Sequence, residues 1–214
     1  MKEDVVEIKK KTYYGDTAND YDKIRLENFF GRTVDKLEKS AILRLLKKIH
    51  CKNILDLPCG TGRITQFLLE HNYFVTGVDV SKDMIKLSKE KLSKYKNLNG
   101  LVVSSGDTLP FKDNTFEMTT SIRLMGHLPS EYRLKVIHEI NRVSNSIIVS
   151  YHTKNSLMGF LKYLKIKHKK HDKNWFQVKE KDAIKELEKC GFKVIRKSYV
   201  FPGIAETYFL LGKK

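Results

Sequence analysis

From residue 53 onward, the sequence alternates between short apolar runs and longer stretches in which apolar residues recur at helical spacing. Helices are predicted at 64–70, 82–95, 129–143 and 179–189. The apolar runs predict seven strands, at 54–57, 73–80, 98–103, 115–122, 146–151, 192–201 and 204–211. Strands that alternate with helices favour a parallel sheet with helices on both faces. The predicted fold class is therefore α/β, with a doubly wound, mostly parallel seven-stranded sheet.

The last two predicted strands differ from the others because no helical pattern separates them. The helix before them ends at Gly191, a residue typical of helix C-termini, and Pro202-Gly203 between the strands is typical of a turn. We therefore expect a C-terminal antiparallel hairpin to complete the sheet.

The first 50 residues show helical spacing only, with one helix predicted over 21–30 and another over 33–49. A chain of 214 residues suits one domain with a small appendage. We predict an N-terminal helical cap or lid over 1–50 and a main domain over 51–214, which carries an insertion at 153–176.

The formal net charge of +16 has two interpretations. It fits an acidic partner, either nucleic acid or an anionic membrane. However, lysines outnumber arginines 33 to 8, and arginine is the residue favoured for specific phosphate and base contacts. Because the lysines are also spread along the chain, solvated surface charge is the simpler interpretation. The charge does not indicate the oligomeric state.

The cysteines and the lack of an apolar run long enough to span a membrane indicate the cellular compartment. Cys51, Cys59 and Cys190 are odd in number and lack the spacing of metal ligands, so we expect free thiols and no metal site. The charged start MKEDVVEIKKK does not resemble a signal peptide, and no apolar run approaches the ~18 residues that span a bilayer. The expected location is cytoplasmic.

A glycine-containing loop follows the first predicted strand, in the stretch NILDLPCGTGRIT. Gly60 and Gly62 allow a tight turn and a close approach of the backbone to a ligand. A dinucleotide fingerprint would require a third glycine where Thr65 stands, and a phosphate-binding P-loop would require Lys and Ser or Thr where Arg63 and Ile64 stand. The loop is therefore not expected to bind a phosphate.

Two further acids follow the next two strands. Asp79 ends the second strand and is suited to accept hydrogen bonds from ribose hydroxyls, whereas Asp107 follows the third strand and is suited to an exocyclic amine such as that of adenine. With Asp56 at the end of the first strand, three acids surround one crevice. This set fits a positively charged nucleoside without a phosphate.

The motifs ILDLPCGTGR, VTGVDVSKDM, GDTLPF and FEMTTSIRLMGHL, at this spacing, resemble those of class I S-adenosylmethionine-dependent methyltransferases. The set is similar to that of the ubiquinone-biosynthesis methyltransferases. The resemblance covers 50–152 well and extends to the hairpin. It implies a Rossmann-like fold, S-adenosylmethionine as cofactor and S-adenosylhomocysteine as its product.

The resemblance also implies which residues surround the cofactor. The first motif would contact the methionine part, Asp79 the ribose, Met84 the adenine face, and the segments after the third and fourth strands the adenine edge and the methyl group. Met84 also fits a core position, and Asp56 also fits a structural acceptor of hydrogen bonds. The implied positions are Asp56, Pro58, Cys59, Gly60, Thr61, Gly62, Asp79, Val80, Met84, Gly106, Asp107, Thr108, Ser121, Ile122 and Arg123.

Two features modify this assignment. Pro58 stands where the family most often has glycine, and it removes an N–H and fixes φ without preventing cofactor binding. The segment YYGDTANDYDKIR resembles a lid found in small-molecule methyltransferases. The resemblance implies that Tyr14 and Tyr21 cover the cofactor and that Arg25 pairs with its carboxylate, although ordinary helix packing also explains these residues.

The predicted catalytic residues are His127, His152 and Arg123. Both histidines follow strands on the acceptor side, and a histidine pKa near neutrality suits a general base. Each also fits a structural histidine that is hydrogen-bonded to the backbone. Arg123 would bind an anionic group of the acceptor or pair with an acid such as Glu131.

The insertion carries Leu157, Phe160, Leu161 and Leu164 on one helical face, among lysines. It is predicted to be a lid over the acceptor pocket, with peripheral membrane contact and then RNA contact as alternatives. The leading functional hypothesis is methyl transfer to an O or N nucleophile of a small molecule. The alternatives are a membrane lipid or quinone as acceptor, an RNA acceptor, and a non-catalytic cofactor-binding subunit.

Overall fold

The computed structural model describes residue 27 and residues 29–153, 176–200 and 207–214. Its helices are α1 (Phe29–Leu46), α2 (Arg63–Glu70), α3 (Lys82–Leu92), α4 (Ser130–Val143) and α5 (Glu180–Lys189). Its strands are β1 (Asn53–Asp56), β2 (Phe74–Asp79), β3 (Leu98–Val103), β4 (Met118–Ser121), β5 (Ser146–His152), β6 (Lys193–Tyr199) and β7 (Thr207–Lys213). A short 3-10 turn, Met125–His127, follows β4.

The seven strands form one sheet in the order β3-β2-β1-β4-β5-β7-β6. Strands β1 to β5 pair in parallel, whereas β7 is antiparallel to both of its neighbours, β5 and β6. The strand order reverses between β1 and β4, which creates a crevice at the carboxyl ends of these two strands. The predicted fold class and the C-terminal antiparallel hairpin are confirmed.

Apolar side chains cover both faces of the sheet because successive strand residues point to opposite sides. Ile54 belongs to a cluster that includes the buried faces of α1, α2 and α3. Its neighbour Leu55 belongs to a second cluster, which includes α4 and α5. The helices thus hold the carboxyl ends of the strands in place from both sides.

Two local predictions about the elements are corrected. The predicted break between helices near Gly31 is absent, since α1 runs without interruption from Phe29 to Leu46. One glycine inside a helix costs only about 1 kcal/mol, which the packing of a long helix offsets. The fourth strand is also shorter than expected, because Phe116 forms only an isolated bridge to Ser144 before β4 begins.

Three predictions concern residues outside the described ranges: the part of the N-terminal cap or lid that precedes α1, the interior of the insertion at 153–176, and the Pro202-Gly203 turn. Within the described ranges, no helix is long and apolar enough to cross a membrane. The same ranges contain no group of three or more His, Cys, Asp or Glu side chains placed to hold a metal ion.

Candidate active site

A cavity opens at the crevice where the strand order reverses. Ten of the predicted site residues line it: Pro58, Cys59, Gly60, Thr61, Asp79, Val80, Met84, Ile122, Arg123 and His127. They come from the loop after β1, the end of β2 with the start of α3, and the segment after β4. The wall also contains three residues that the sequence reasoning did not assign, namely Arg63, Ile64 and Leu124.

The two glycines of the β1–α2 loop serve different purposes. Both have positive φ, 54° at Gly60 and 82° at Gly62, a conformation that L side chains rarely adopt. A Cβ atom at Gly60 would meet no heavy atom within 4 Å, whereas one at Gly62 would lie 2.7 Å from Leu92 Cδ1 and from Ser88 Oγ. Gly60 therefore leaves open space at the cavity wall, and Gly62 allows α3 to pack closely against the loop.

Asp79 fixes this loop from the end of β2. The Gly60 N–H donates to Asp79 Oδ2 and the Ser81 N–H donates to Asp79 Oδ1, each at 2.9 Å. Burial raises the pKa of the Asp79 carboxyl, an effect that these backbone hydrogen bonds oppose. Each carboxylate oxygen keeps a second lone pair, so the carboxylate is suited to accept ribose hydroxyls as well. Ribose binding stays a prediction.

Asp56 lies beneath the loop and not in the cavity wall. Its carboxylate is fully buried and accepts hydrogen bonds from Thr65 Oγ1 at 2.7 Å and Thr120 Oγ1 at 2.9 Å. Burial raises its pKa to about 6, against the lowering effect of the two threonine hydroxyls. The structure thus favours the alternative in which Asp56 is a structural acceptor that ties α2 and β4 to the end of β1.

A second, mostly apolar cavity adjoins the first and shares Pro58, Val80 and Leu124 with it. Gly106 lines this second cavity, together with Ser105 and Tyr132. Asp107 lines neither cavity, although it accepts a hydrogen bond from Ser105, which does. This hydrogen bond lowers the pKa of Asp107, as does one from Tyr132, whereas burial raises it. The adenine-edge assignment of Asp107 remains a prediction.

Gly62, Thr108 and Ser121 are near the site without lining either cavity. The Gly62 N–H closes the loop turn on the Cys59 carbonyl oxygen, and the Thr108 N–H closes a turn on the Ser105 carbonyl oxygen. Ser121 is fully buried at the end of β4. Tyr14, Tyr21 and Arg25 lie outside the described residues, so the predicted lid over the cofactor is not placed.

Arg123 lies in the cavity wall, and the acid that pairs with it is Glu38, whereas the sequence suggested Glu131 as one example. Its Nε donates to Glu38 Oε1 at 3.0 Å, and its Nη2 pairs with the same oxygen at 2.5 Å. Arg63 Nη2 lies 3.1 Å from the other oxygen, Glu38 Oε2, and Glu38 is fully buried. A carboxylate of α1 therefore joins two arginines that line the cavity from different loops.

His127 and His152 occupy different environments. His127 lies in the 3-10 turn and lines the cavity. His152 is buried within the β5–β7 pair, with Nδ1 3.1 Å from Thr207 Oγ1, and does not line the cavity. The prediction that His152 lies beyond the fifth strand is wrong, because β5 continues through this residue and pairs it with Thr207. Its role toward the acceptor stays a prediction.

The sequence contained a pattern that indicates Asp35 and Glu38, two acids that were not among the predicted site residues. Asp35 and Glu38 fall at the spacing of one helix turn, on the same face of α1 as the apolar Ala41, Ile42 and Leu45. Acidic residues on an apolar helix face are rarely buried without a partner. This pattern predicts buried cations opposite them, and Arg63 and Arg123 are those cations.

A family model described as a methyltransferase domain matches residues 54–146. The demethylmenaquinone methyltransferase of Staphylococcus haemolyticus is 29% identical over 232 residues, which span 95% of this chain and 92% of that protein. An uncharacterized protein of Methanocaldococcus jannaschii is 30% identical over 192 residues, which span 85% of this chain and 76% of that protein.

Solved structures show the same fold. The magnesium protoporphyrin IX methyltransferase of Synechocystis, crystallised with bound S-adenosylhomocysteine, matches with a TM-score of 0.80, 17% identity and coverage of 97% of this chain and 99% of that one. The motif set, the family model and these relatives agree. The chain belongs to the class I S-adenosylmethionine-dependent methyltransferases, enzymes whose methyl donor is S-adenosylmethionine.

Proposed function

We propose that this enzyme transfers the methyl group to an oxygen or nitrogen nucleophile of a small molecule. The observation that carries the proposal is the composition of one cavity, whose wall combines cofactor-type residues with polar residues that could contact an acceptor. Gly60, Asp79 and Met84 belong to the first set, and Arg123 and His127 to the second. S-adenosylmethionine, when bound, supplies the methyl group.

The residues present fit that cofactor. A Cβ atom at Gly60 would meet no heavy atom of the described residues within 4 Å, its chain neighbours aside, and Asp79 lies in the same wall as the apolar Val80 and Met84. An acid beside apolar side chains suits a ribose and its base. No phosphate-binding pattern accompanies them, in agreement with a nucleoside ligand that carries none.

His127 is proposed as the group that accepts a proton from the acceptor. It lines the cavity together with Arg123 and Leu124, which lie in the same segment after β4. The apolar residues Ile64, Ile122 and Leu124 limit water near this part of the wall. We propose that the chain itself mainly positions the acceptor, excludes water and accepts a proton where the nucleophile has one.

Calorimetry and a transfer assay test the function together. S-adenosylhomocysteine should bind, and Asp79→Ala should weaken binding about tenfold or more, because hydrogen bonds to a charged group are worth ~1.5–3 kcal/mol. Transfer of a labelled methyl group to a panel of phenols, amines and carboxylates should then identify the acceptor. Equal affinity in the Asp79→Ala protein would contradict the cofactor site.

A membrane quinone or lipid is the second candidate acceptor, favoured by the likeness to demethylmenaquinone methyltransferases. Two described residues, Thr153 and Phe176, flank the segment 154–175. Their positions support the proposal that this segment contacts the acceptor. The Phe176 N–H donates to the Gly126 carbonyl oxygen at 2.7 Å, beside His127, and Thr153 directly follows β5.

Vesicle binding distinguishes this candidate from a water-soluble acceptor. Under the quinone hypothesis, the enzyme should sediment with anionic vesicles, binding should weaken with salt, and Leu157→Ser with Phe160→Ser should abolish it. If the enzyme sediments equally with neutral and anionic vesicles, or if the variant sediments like the wild type, the result would favour a water-soluble small molecule as the acceptor.

A further inference from the structure

Five charges of alternating sign lead from the surface of α1 into the cavity wall. Lys39 Nζ lies 2.9 Å from Asp35 Oδ2, and Asp35 also pairs with Arg63. Arg63 contacts Glu38 at 3.1 Å, and Glu38 pairs with Arg123. Among the described residues, this row therefore contains three cations and two carboxylates and carries one net positive charge.

Arg123 is the last residue of this row, and like Arg63 it lines the cavity. Glu38 engages its Nε and Nη2, while Nη1 has no hydrogen-bond partner among the described residues. The Arg123 side chain is 26% exposed, whereas that of Glu38 is 0% exposed. A guanidinium has five N–H donors in a fixed plane. The carboxylate thus fixes one edge of the plane and leaves the Nη1 donors available at the cavity.

The backbone of Arg123 is also held in an unusual conformation. Its φ is 63°, in the left-handed region that residues other than glycine rarely adopt. Its N–H donates to Ser150 Oγ at 2.7 Å, and Ser150 is fully buried in β5. A residue in such a conformation, fixed at both backbone and side chain, is typical of a functional site.

We propose that Arg123 binds an anionic oxygen of the methyl acceptor, and that Glu38 is the positioning residue that orients Arg123 for it. The acceptor therefore carries a carboxylate or phenolate oxygen that Arg123 binds, and a compound without such an oxygen, such as a simple amine or alcohol, should bind more weakly. A guanidinium recognises such oxygens through parallel N–H donors. This inference rests on the proposed function and adds the chemical class of its acceptor.

Matched pairs of small aromatic compounds test the inference on the intact protein. The enzyme is first saturated with S-adenosylhomocysteine and then titrated with benzoate, phenylacetate or indole acetate and, separately, with the alcohol of the same skeleton. Wild-type enzyme should bind at least one carboxylate about tenfold or more tightly than its alcohol. Arg123→Gln should abolish this preference, and Arg123→Lys should retain part of it.

Lys39→Gln is the matched control, because it removes the same charge from the outer end of the row. It should leave the carboxylate preference unchanged. Arg123→Gln leaves Glu38 with one partner fewer, so the double variant Arg123→Gln with Glu38→Gln is included. The double variant removes one charge of each sign and should also lack the preference while unfolding cooperatively.

Three results would overturn the inference. One is equal binding of carboxylates and alcohols by the wild type, and another is the absence of carboxylate binding at millimolar concentration. The third is a loss of S-adenosylhomocysteine affinity in Arg123→Gln without a carboxylate preference in the wild type, which would assign Arg123 to the cofactor. Failure of the proposed function is distinguishable, since the wild type would then transfer no methyl group to any compound of the phenol, amine and carboxylate panel, whatever its binding preference.

Discussion

Replacing Gly62 with alanine should destabilise the enzyme more than the same change at the neighbouring Gly60. Gly62 precedes α2 in a left-handed conformation with φ at 82°. A methyl group there would lie 2.7 Å from Leu92 Cδ1 and 2.7 Å from Ser88 Oγ. Both contacts are shorter than real Cβ contacts, and both neighbours are fully buried. Relief therefore requires movement of α3 or of the loop.

The expected cost has two parts. A left-handed backbone at a residue with a Cβ costs about 1–2 kcal/mol, and overpacking of a close-packed core costs typically ~1–3 kcal/mol. Gly62→Ala should therefore lower the free energy of unfolding by roughly 2–5 kcal/mol. Gly60→Ala should show only the backbone part, since its φ is 54° and its Cβ would meet no heavy atom within 4 Å.

Urea unfolding measures the backbone cost and the overpacking cost separately. The proteins compared are the wild type, Gly62→Ala, Gly60→Ala and Gly100→Ala. Gly100 lies in β3, has no close neighbour at its Cβ position and does not have a positive φ, so this variant should be neutral or slightly more stable. Leu92→Ala combined with Gly62→Ala should cost less than the sum of the two single changes, because the removed side chain is the one contacted.

Equal free energies for Gly62→Ala and Gly60→Ala would refute this reasoning, since the steric part would then be absent. Additive costs in the Leu92 double variant would place the strain elsewhere in the loop. Calorimetry on the same proteins separates stability from function. Because Gly60 lines the cavity and Gly62 does not, Gly60→Ala should weaken S-adenosylhomocysteine binding more per unit of lost stability.

Four further variants test other parts of the structure. The pKa of Asp56 is raised from 3.8 to about 6, so the native state holds this proton more tightly than the unfolded chain does. Stability should therefore fall by up to roughly 3 kcal/mol as pH rises from about 4 to 6, and Asp56→Asn should flatten that part of the urea-midpoint profile. Glu186→Ala should lower the free energy of unfolding by about 3–5 kcal/mol, because Arg133 would keep a buried, uncompensated charge. Lys197→Ala, at an exposed pair, should cost less than about 1 kcal/mol in the same assay. His127→Gln should lower kcat about 100-fold or more in the transfer assay, with S-adenosylhomocysteine affinity nearly unchanged.

Each of these has an outcome that contradicts it. An Asp56→Asn profile parallel to that of the wild type would mean that another group titrates over this range. Similar costs for Glu186→Ala and Lys197→Ala would mean that the Arg133 pair is effectively solvated. If His127→Gln retains full kcat on an acceptor that must lose a proton, His127 is not the base.

The strand and helix pattern was predictable because it depends on residues that are near one another in the sequence. The meeting of Gly60 and Asp79 also followed, since the carboxyl ends of adjacent parallel strands lie at one edge of the sheet. The pairing of Glu38 with Arg123 did not follow, because the two residues are 85 positions apart. Their contact depends on how α1 packs against the sheet, and the sequence indicated only that an acid of α1 needed a partner.

The error at His152 has a similar origin. The apolar pattern ends at Tyr151, so the histidine was placed in the loop beyond the strand. In the structure, β5 and β7 remain paired through His152 and Thr207. The partner strand thus determines where β5 ends, and that partner lies 55 residues further along the chain. Local periodicity does not contain this information.

The position of β7 has a consequence for how the sheet opens. β6 precedes β7 in the chain but, among the strands that the structure describes, it pairs only with β7, which also pairs with β5. Any fluctuation that detaches β7 from β5 therefore releases β6 as well, whereas β6 can detach alone. A detached two-stranded hairpin is marginally stable at best in water, so the β6–β7 hydrogen bonds should open soon after the hairpin leaves β5. In native-state hydrogen exchange, the backbone amides of β6 bonded to β7 should therefore not be much better protected than those that join β7 to β5.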